Sequence, residues 1–322
     1  MDAFDRRLRA HRPPKPPVDV WRPIAAETEL ERTPEGALER ALTIFLAGRE
    51  CPFTCIFCDL WRHTTDAPTP AGAIPAQIRR ALEESAVATA DPDLDAPVTV
   101  KLYNASNFFD GASVPANDDG DILGLVDRFG RVIVECHAKL VAARCARYAE
   151  HLADRGSRLE VAVGFETVHP EALAALNKRV TVADLRAASA RLRSMDADLR
   201  AFVLIGVPGI NDEEEAAWVV RSVEEALACG ARLVSLIPMR GGESEMARFE
   251  REGLWRRPDL DRIETAFEAA RDLAPNRIRL DTWDLETFCR SAGDRERARR
   301  LERRQLEPFG GPVDRTETEV VA

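Results

Sequence analysis

Cys51, Cys55 and Cys58 stand four and three residues apart in Cys51-Pro52-Phe53-Thr54-Cys55-Ile56-Phe57-Cys58. The apolar run Ala41-Leu42-Thr43-Ile44-Phe45-Leu46-Ala47-Gly48 precedes them. Thiolates are soft ligands that suit zinc or iron–sulfur clusters. Three of them in one turn-sized loop can hold three corners of a cube and leave the fourth free, whereas an electron-transfer [4Fe–4S] cluster takes four cysteines. An iron with an open position can bind something else. The rival is zinc, which takes four ligands in tetrahedral geometry, with His63 completing the set. A disulfide framework is disfavoured by seven cysteines, an odd number, in 322 residues that open on a charged stretch, Met1–Arg12, rather than a secretory signal.

The elements that must position these thiols follow from periodicity. Seven apolar, β-branched runs recur: 41–48, Val98–Tyr103, Arg131–Val134, Leu159–Val163, Leu199–Ile205, Arg232–Ile237 and Arg277–Leu280. Runs of this length read as strands buried on both faces, as in a parallel sheet. Amphipathic segments lie between them: Ala76–Ala86, Leu140–Leu152, Thr181–Met195, Asn211–Ala228 and Leu260–Leu273. Thr181 with Asp184, and Asn211 with Glu214, read as helix caps. Alternation of strand and helix predicts βαβ units. The count predicts an α/β fold, a partial (β/α)6 TIM-like barrel with an added C-terminal strand and helix. Residues 66–75 and 111–120 read as loops.

Three regions are expected: a Pro-rich arm at 1–34, with Arg12–Pro17 extended as polyproline II or disordered; the barrel at 35–290; and a charged helix, Ala292–Glu307, with a loose tail from Pro308 to 322. The net charge of −10, with 45 basic against 55 acidic residues, counts against an autonomous nucleic-acid binder. Two basic stretches, Arg6–Lys15 and Arg295–Arg304, are the exceptions. No apolar run approaches the ~20 residues of a membrane span. Free thiols suit a reducing cytoplasm.

In parallel α/β folds ligands bind at the carboxyl ends of the strands. After the seven runs come the cysteine loop, Asn104-Ala105-Ser106-Asn107, Glu135-Cys136-His137, Gly164-Phe165-Glu166-Thr167, Gly206-Val207-Pro208-Gly209, Pro238–Glu243 and Asp281-Thr282-Trp283-Asp284. Seven polar or glycine-rich clusters at one end of a sheet predict a ligand site on that rim, independently of the cysteines. Cys145 and Cys229 fall in helical patterns and read as core. Cys289 reads as core too, with hydrogen donor and distant ligand as alternatives. His137 reads as a structural hydrogen-bonder.

CxxxCxxC with Phe57 before the last cysteine resembles the signature of the radical S-adenosylmethionine enzymes. Motif order extends the likeness over roughly residues 40–290. Val134-Glu135, Val163–Thr167, Leu176-Asn177-Lys178-Arg179-Val180-Thr181 and Leu204–Pro208 are similar to the branch that holds the radical subunit of archaeosine synthase and the radical domain of the elongator catalytic subunit. The resemblance implies that Cys51, Cys55 and Cys58 ligate a [4Fe–4S] cluster whose fourth iron S-adenosylmethionine chelates. An electron from a flavodoxin- or ferredoxin-type donor then yields a 5′-deoxyadenosyl radical that takes hydrogen from substrate.

It implies cofactor contacts at Asn104, Ser106 and Asn107, where the family carries a Gly-Gly-Glu-like segment with backbone acceptors. Glu135 and Glu166 are expected to accept from the cofactor's ammonium or ribose, or instead to pair with Lys139 or Lys178. Val207 is expected along the adenine, and Phe57 as an apolar wall. The branch suggests a modified tRNA base as substrate, with a partner protein; the acidity suggests a small metabolite. A zinc-structured binding module is the reading outside enzymes. The short stretch after the last strand leads us not to expect an acetyltransferase domain.

Overall fold

The computed structural model describes residues 2–88, 98–243 and 245–307, so the tail expected beyond 308 lies outside the described residues. The strands in chain order are β1 (Ala25–Arg32), β2 (Leu38–Leu46), β3 (Gly48–Arg49), β4 (Thr64–Thr65), β5 (Thr99–Asn104), β6 (Arg131–Glu135), β7 (Arg158–Glu166), β8 (Asp198–Ile205), β9 (Ala231–Pro238) and β10 (Ile278–Leu280). The helices are α1 (Ala3–Ala10), α2 (Ala73–Ala88), α3 (Asp119–Val126), α4 (Ala143–Ala153), α5 (Pro170–Ala175), α6 (Val182–Ser194), α7 (Asp212–Ala228), α8 (Glu245–Arg251), α9 (Leu260–Arg271) and α10 (Ala292–Leu306).

Eight strands form one sheet in the order β1-β2-β5-β6-β7-β8-β9-β10. From β2 to β10 every pairing is parallel. The sheet curls: Phe45 on β2 packs its ring 5.0 Å from that of Trp283, just past β10. The Arg279 guanidinium on β10 donates to the carbonyl of Arg32 on β1. The architecture is therefore the expected partial barrel, with β10 as its added strand. Its outer face packs Leu42, Leu102, Val134 and Val161 against helix residues such as Ile78, Tyr148, Leu185 and Phe267.

Three local features depart from the sequence reading. Residues 3–10 form a helix, with Asp2 and Asp5 making a capping box. Asn211 precedes α7 but makes no side-chain cap bond, whereas Thr181 and Asp184 close the expected box on α6. The third departure is β1, which runs antiparallel to β2 along the barrel edge. Its sequence, Ala-Ala-Glu-Thr-Glu-Leu-Glu-Arg, carries none of the apolar signal of its neighbours.

The reason lies inside the barrel, where the lining is ionic. Lys101 on β5 pairs with Glu29 at 2.8 Å and Glu31 at 2.7 Å, both from β1. Arg200 on β8 pairs with Glu31 at 2.8 Å and with Glu160 on β7 at 2.5 Å. Arg131 and Arg232 reach the other Glu160 oxygen at 3.1 and 3.4 Å. Above this layer Phe45, Tyr103 and Phe202 pack edge to face across the lumen, with centroids 6.3 and 6.2 Å apart. Glu160 is fully buried among three guanidiniums. Removing one partner of a buried ionic set leaves uncompensated charge, which costs about 3–5 kcal/mol. Glu160→Gln is expected to lower unfolding free energy by that order in a denaturant titration; a loss within error of zero would show the network to be dispensable.

Candidate metal and cofactor site

All seven polar clusters emerge at the carboxyl ends of the parallel strands, and the cysteine loop caps β2. The loop is fixed from beneath by the segment after α5. Ile56 N–H donates to the Leu176 carbonyl at 3.1 Å. Asn177 Nδ2 donates to the Thr54 carbonyl at 2.9 Å and to its hydroxyl at 2.8 Å. Asn177 and Arg179 both have positive φ, 54° and 62°. That double kink presents Leu176, Asn177 and Lys178 to the loop and Arg179 to the first helix; Asn tolerates this region better than Arg, so packing must hold it.

The first helix clamps the same loop from outside. Asp5, 2% exposed, accepts from the Thr54 hydroxyl, from Asn177 Nδ2 at 3.3 Å and from the Arg179 guanidinium at 2.6 Å. Leu8 packs with Ile56, Leu176 and Val207 in a second apolar cluster, against which Phe57 also rests. Glu50, next to Cys51, draws in Arg9 at 3.0 Å, Arg12 at 2.9 Å and Lys15 at 2.5 Å.

Burial dominates the electrostatics of the thiols. It pushes the Cys51 thiol up, Cys58 up to about 12, and Cys55 up further; the charge of Cys51 adds to the rise at both Cys55 and Cys58, and that of Cys58 to the rise at Cys55. The counterweight is Lys178. Its ammonium pairs with Glu166, and burial alone would weaken its charge; Glu166, Cys55 and Glu135 hold that charge on. Gly164 makes this pair sterically feasible, because a Cβ there would stand 2.1 Å from Glu166 Oε1 and 2.2 Å from Lys178 Nζ. Glu135 faces the same cation from β6 and is pushed up to about 7 by burial, with Lys178 pulling against and Glu166 adding to the rise.

Asn107 Nδ2 lies 3.2 Å from Cys51 Sγ, and its Oδ1 accepts from the His137 backbone N–H at 2.7 Å. His137 plays the structural part expected of it. Its ring stacks on Phe53 with centroids 3.7 Å apart, and Nε2 donates to the Lys178 carbonyl at 2.9 Å. Burial holds it neutral, its pKa down at about 4.

The donor set suits a cluster: three thiols at one rim, an amide N–H and a cation aimed at them. Two buried polar atoms beside it, Asn104 Oδ1 and Ser106 Oγ, have no partner. Among the described residues no three His, Cys, Asp or Glu side chains converge as the ligands of one ion do, and His63 is exposed. The cysteines of a cube each take a different iron, so they need not converge.

Each expected residue has a place. Cys51, Cys55, Glu135 and Glu166 feel the charge of Lys178; Asn107 bonds Cys51, and Cys58 feels the charge of Cys51 and Glu135. Glu166 is in the lysine pair weighed against a ligand role, while Lys139 lies outside, 4.0 Å from Asp184. Val207 and Phe57 share one apolar wall, and a surface cleft of about 900 Å³ opens beside it, lined by residues 207–214 and 253–256. Gly206 starts that turn at φ +91°, and a Cβ there would meet Pro258 at 2.7 Å. Cys145 and Cys229 belong to the main core, and Cys289 packs against it. Sequence reasoning missed Asp5, Thr54 and Asn177 as supports. The signal for Asn177 was present in the Leu-Asn-Lys-Arg motif; nothing marked Asp5.

No family model matches the chain, and no curated protein does. Solved structures do. The Elp3 of the archaeon Methanocaldococcus infernus, lacking its N-terminal residues 1–46, superposes with a TM-score of 0.54 at 14% identity, over 83% of this chain and 64% of that one. Coproporphyrinogen III oxidase (HemN) from Escherichia coli, a radical SAM enzyme, gives 0.43 at 14% identity, over 76% and 54%. Methylornithine synthase (PylB) gives 0.43 at 14%, over 83% and 82%. The chain thus shares the fold of the archaeal Elp3, and spans a little under two thirds of that chain.

The Asp5 clamp carries a pH signature. Its carboxyl sits at about 2 rather than 3.8: burial raises it, and the bonds from Thr54, Asn177, the Asp2 backbone and Arg179 outweigh that and lower it. A depressed acid contributes stability that is complete above the unfolded value and is lost as pH falls through the folded one. The difference in unfolding free energy between the wild type and Asp5→Asn should be constant above pH ~4 and close toward pH ~2. A pH-independent difference would show that Asp5 does not clamp as a carboxylate.

Proposed function

We propose that the chain is a radical S-adenosylmethionine enzyme in which Cys51, Cys55 and Cys58 hold a [4Fe–4S] cluster. The observation that carries this is three thiols on one loop at the carboxyl rim of a partial parallel barrel like that of the archaeal Elp3, with the Lys178 charge and the Asn107 amide beside them. When bound, the cluster and S-adenosylmethionine supply the one-electron cleavage that produces a 5′-deoxyadenosyl radical able to take hydrogen from substrate.

The chain's own residues hold and orient. The 176–179 turn and Asp5 fix the loop; Lys178 offsets thiolate charge. Asn104 and Ser106 offer the free acceptor and hydroxyl, and Glu135 the carboxylate, to the cofactor's donors. Val207 and Phe57 form the apolar face for its adenine. Phe45, Tyr103 and Phe202 close the lumen below, so substrate is met at the rim. A low-potential donor of flavodoxin or ferredoxin type is required, in a reducing compartment such as the cytoplasm. Among the described residues no helix is long and apolar enough to cross a membrane.

The order of motifs supports a modified tRNA base as substrate, with a partner protein presenting it. A second reading, a small metabolite, draws support from the two basic stretches. Arg9, Arg12 and Lys15 are engaged by Glu50, Arg297 by Asp261 at 2.6 Å and by Glu264, and Arg304 by Glu268. Paired charges release fewer counterions on a phosphate backbone. Salt-sensitive retention of tRNA in a gel shift selects the first reading; its absence selects the second.

Anaerobically purified protein should hold about four irons and four sulfides per chain. Cys55→Ala should lose them together with dithionite-driven 5′-deoxyadenosine formation; one zinc per chain and no nucleoside would replace the enzyme with a zinc-structured module. Glu135→Gln should keep its iron while binding S-adenosylmethionine more weakly. Because the Glu135 carboxyl ionises at about 7, wild-type affinity for this cation should rise from pH ~6 to ~8, and the variant should lack that rise. Equal affinities in calorimetry would remove Glu135 from the site.

A further inference from the structure

Asn107 stands where the resemblance expects cofactor contact, yet both ends of its amide are engaged elsewhere. Nδ2 donates to Cys51 Sγ at 3.2 Å, and Oδ1 accepts from the His137 N–H at 2.7 Å. A backbone N–H can only donate, so His137 determines which end of the amide is oxygen and turns the NH₂ group to the sulfur. His137 is itself immobilised between the Phe53 ring and the Lys178 carbonyl. Asn107 is 3% exposed, so water does not compete for either bond. The chain of contacts runs from the Lys178 carbonyl through His137 and Asn107, and its last acceptor is the Cys51 sulfur.

We propose that Asn107 is a positioning residue for redox chemistry, its amide N–H aimed at Cys51 to set the reduction potential of a cluster held at that corner. This rests on reading the three cysteines as cluster ligands. Cluster potentials respond to net charge and to hydrogen bonds on the sulfurs. An added electron increases negative charge on the thiolate sulfurs, so an N–H donor stabilises the reduced form more than the oxidised one. Burial strengthens the bond relative to water. Losing the donor therefore makes reduction harder.

The test compares the anaerobically reconstituted full-length wild type with Asn107→Ala and Asn107→Asp. The aspartate keeps an oxygen for the His137 N–H but replaces the donor with an acceptor. Iron and sulfide content are measured first, then the midpoint potential by EPR-monitored titration. The expected result is near-complete cluster loading in both variants, with the reduction equilibrium constant down on the order of tenfold in Asn107→Ala, which is about 59 mV for one electron, and down further in Asn107→Asp. Loaded variants with the wild-type potential overturn the proposal. Loss of the cluster from both variants also overturns it, leaving Asn107 a residue that only shapes the loop. A wild type without iron and sulfide is a different result: it removes the cluster reading itself.

Discussion

A metal group held at the rim would require three half-buried thiols to bear negative charge. A thiolate is the metal ligand, yet the surroundings of Cys51, Cys55 and Cys58 favour the thiol form. Binding a metal group there must release protons, and the free energy of binding is then coupled to pH and to how well the loop is held. The protein reduces the penalty with a buried cation and an amide dipole. Lys178 comes from the segment after α5 and Asn107 from the end of β5; the Glu166 carboxylate fixes the first and the His137 backbone N–H the second.

One cation among Glu135, Glu166 and the thiols makes the site electrostatically shared. Glu166 takes the contact with Lys178, so Glu135 is left with the weaker share and its carboxyl rises toward neutrality. The two acids are thus differentiated by environment, one committed to the lysine, the other available to an incoming positive group. That division could not be assigned from residue types alone, because both acids end apolar strands in similar sequence settings.

What the sequence disclosed follows the same logic. Strands β2 and β5 through β10 were legible because burial on both faces forces apolar runs, and the rim clusters because strand ends in such a sheet are the positions free to be polar. Cys51, Cys55 and Cys58 were legible because thiol spacing is itself chemistry. The Asp5 clamp was not: a single acid in a charged stretch looks solvated, and its burial is created by Thr54, Asn177 and Arg179 arriving from far along the chain. Asn107 was picked as a cofactor contact for its position, whereas its geometry directs it at Cys51, a distinction that depends on which way one amide is turned.

Strand β1 was missed for a reason that bears on the whole architecture. A closed barrel can fill its interior with branched apolar side chains, because no water reaches them. This barrel is open between β1 and β10, bridged by Arg279 and by Arg32 reaching the Leu306 carbonyl at the end of α10. An apolar lining would be exposed at that seam. An ionic one, with Glu29, Glu31 and Glu160 interleaved among Lys101, Arg131 and Arg200, tolerates water at the gap and still orders the strands. The charges that hid β1 from a hydrophobicity reading are therefore the condition that lets an incomplete barrel stay incomplete, leaving its aromatic layer as the floor and its carboxyl rim as the place where the polar clusters gather.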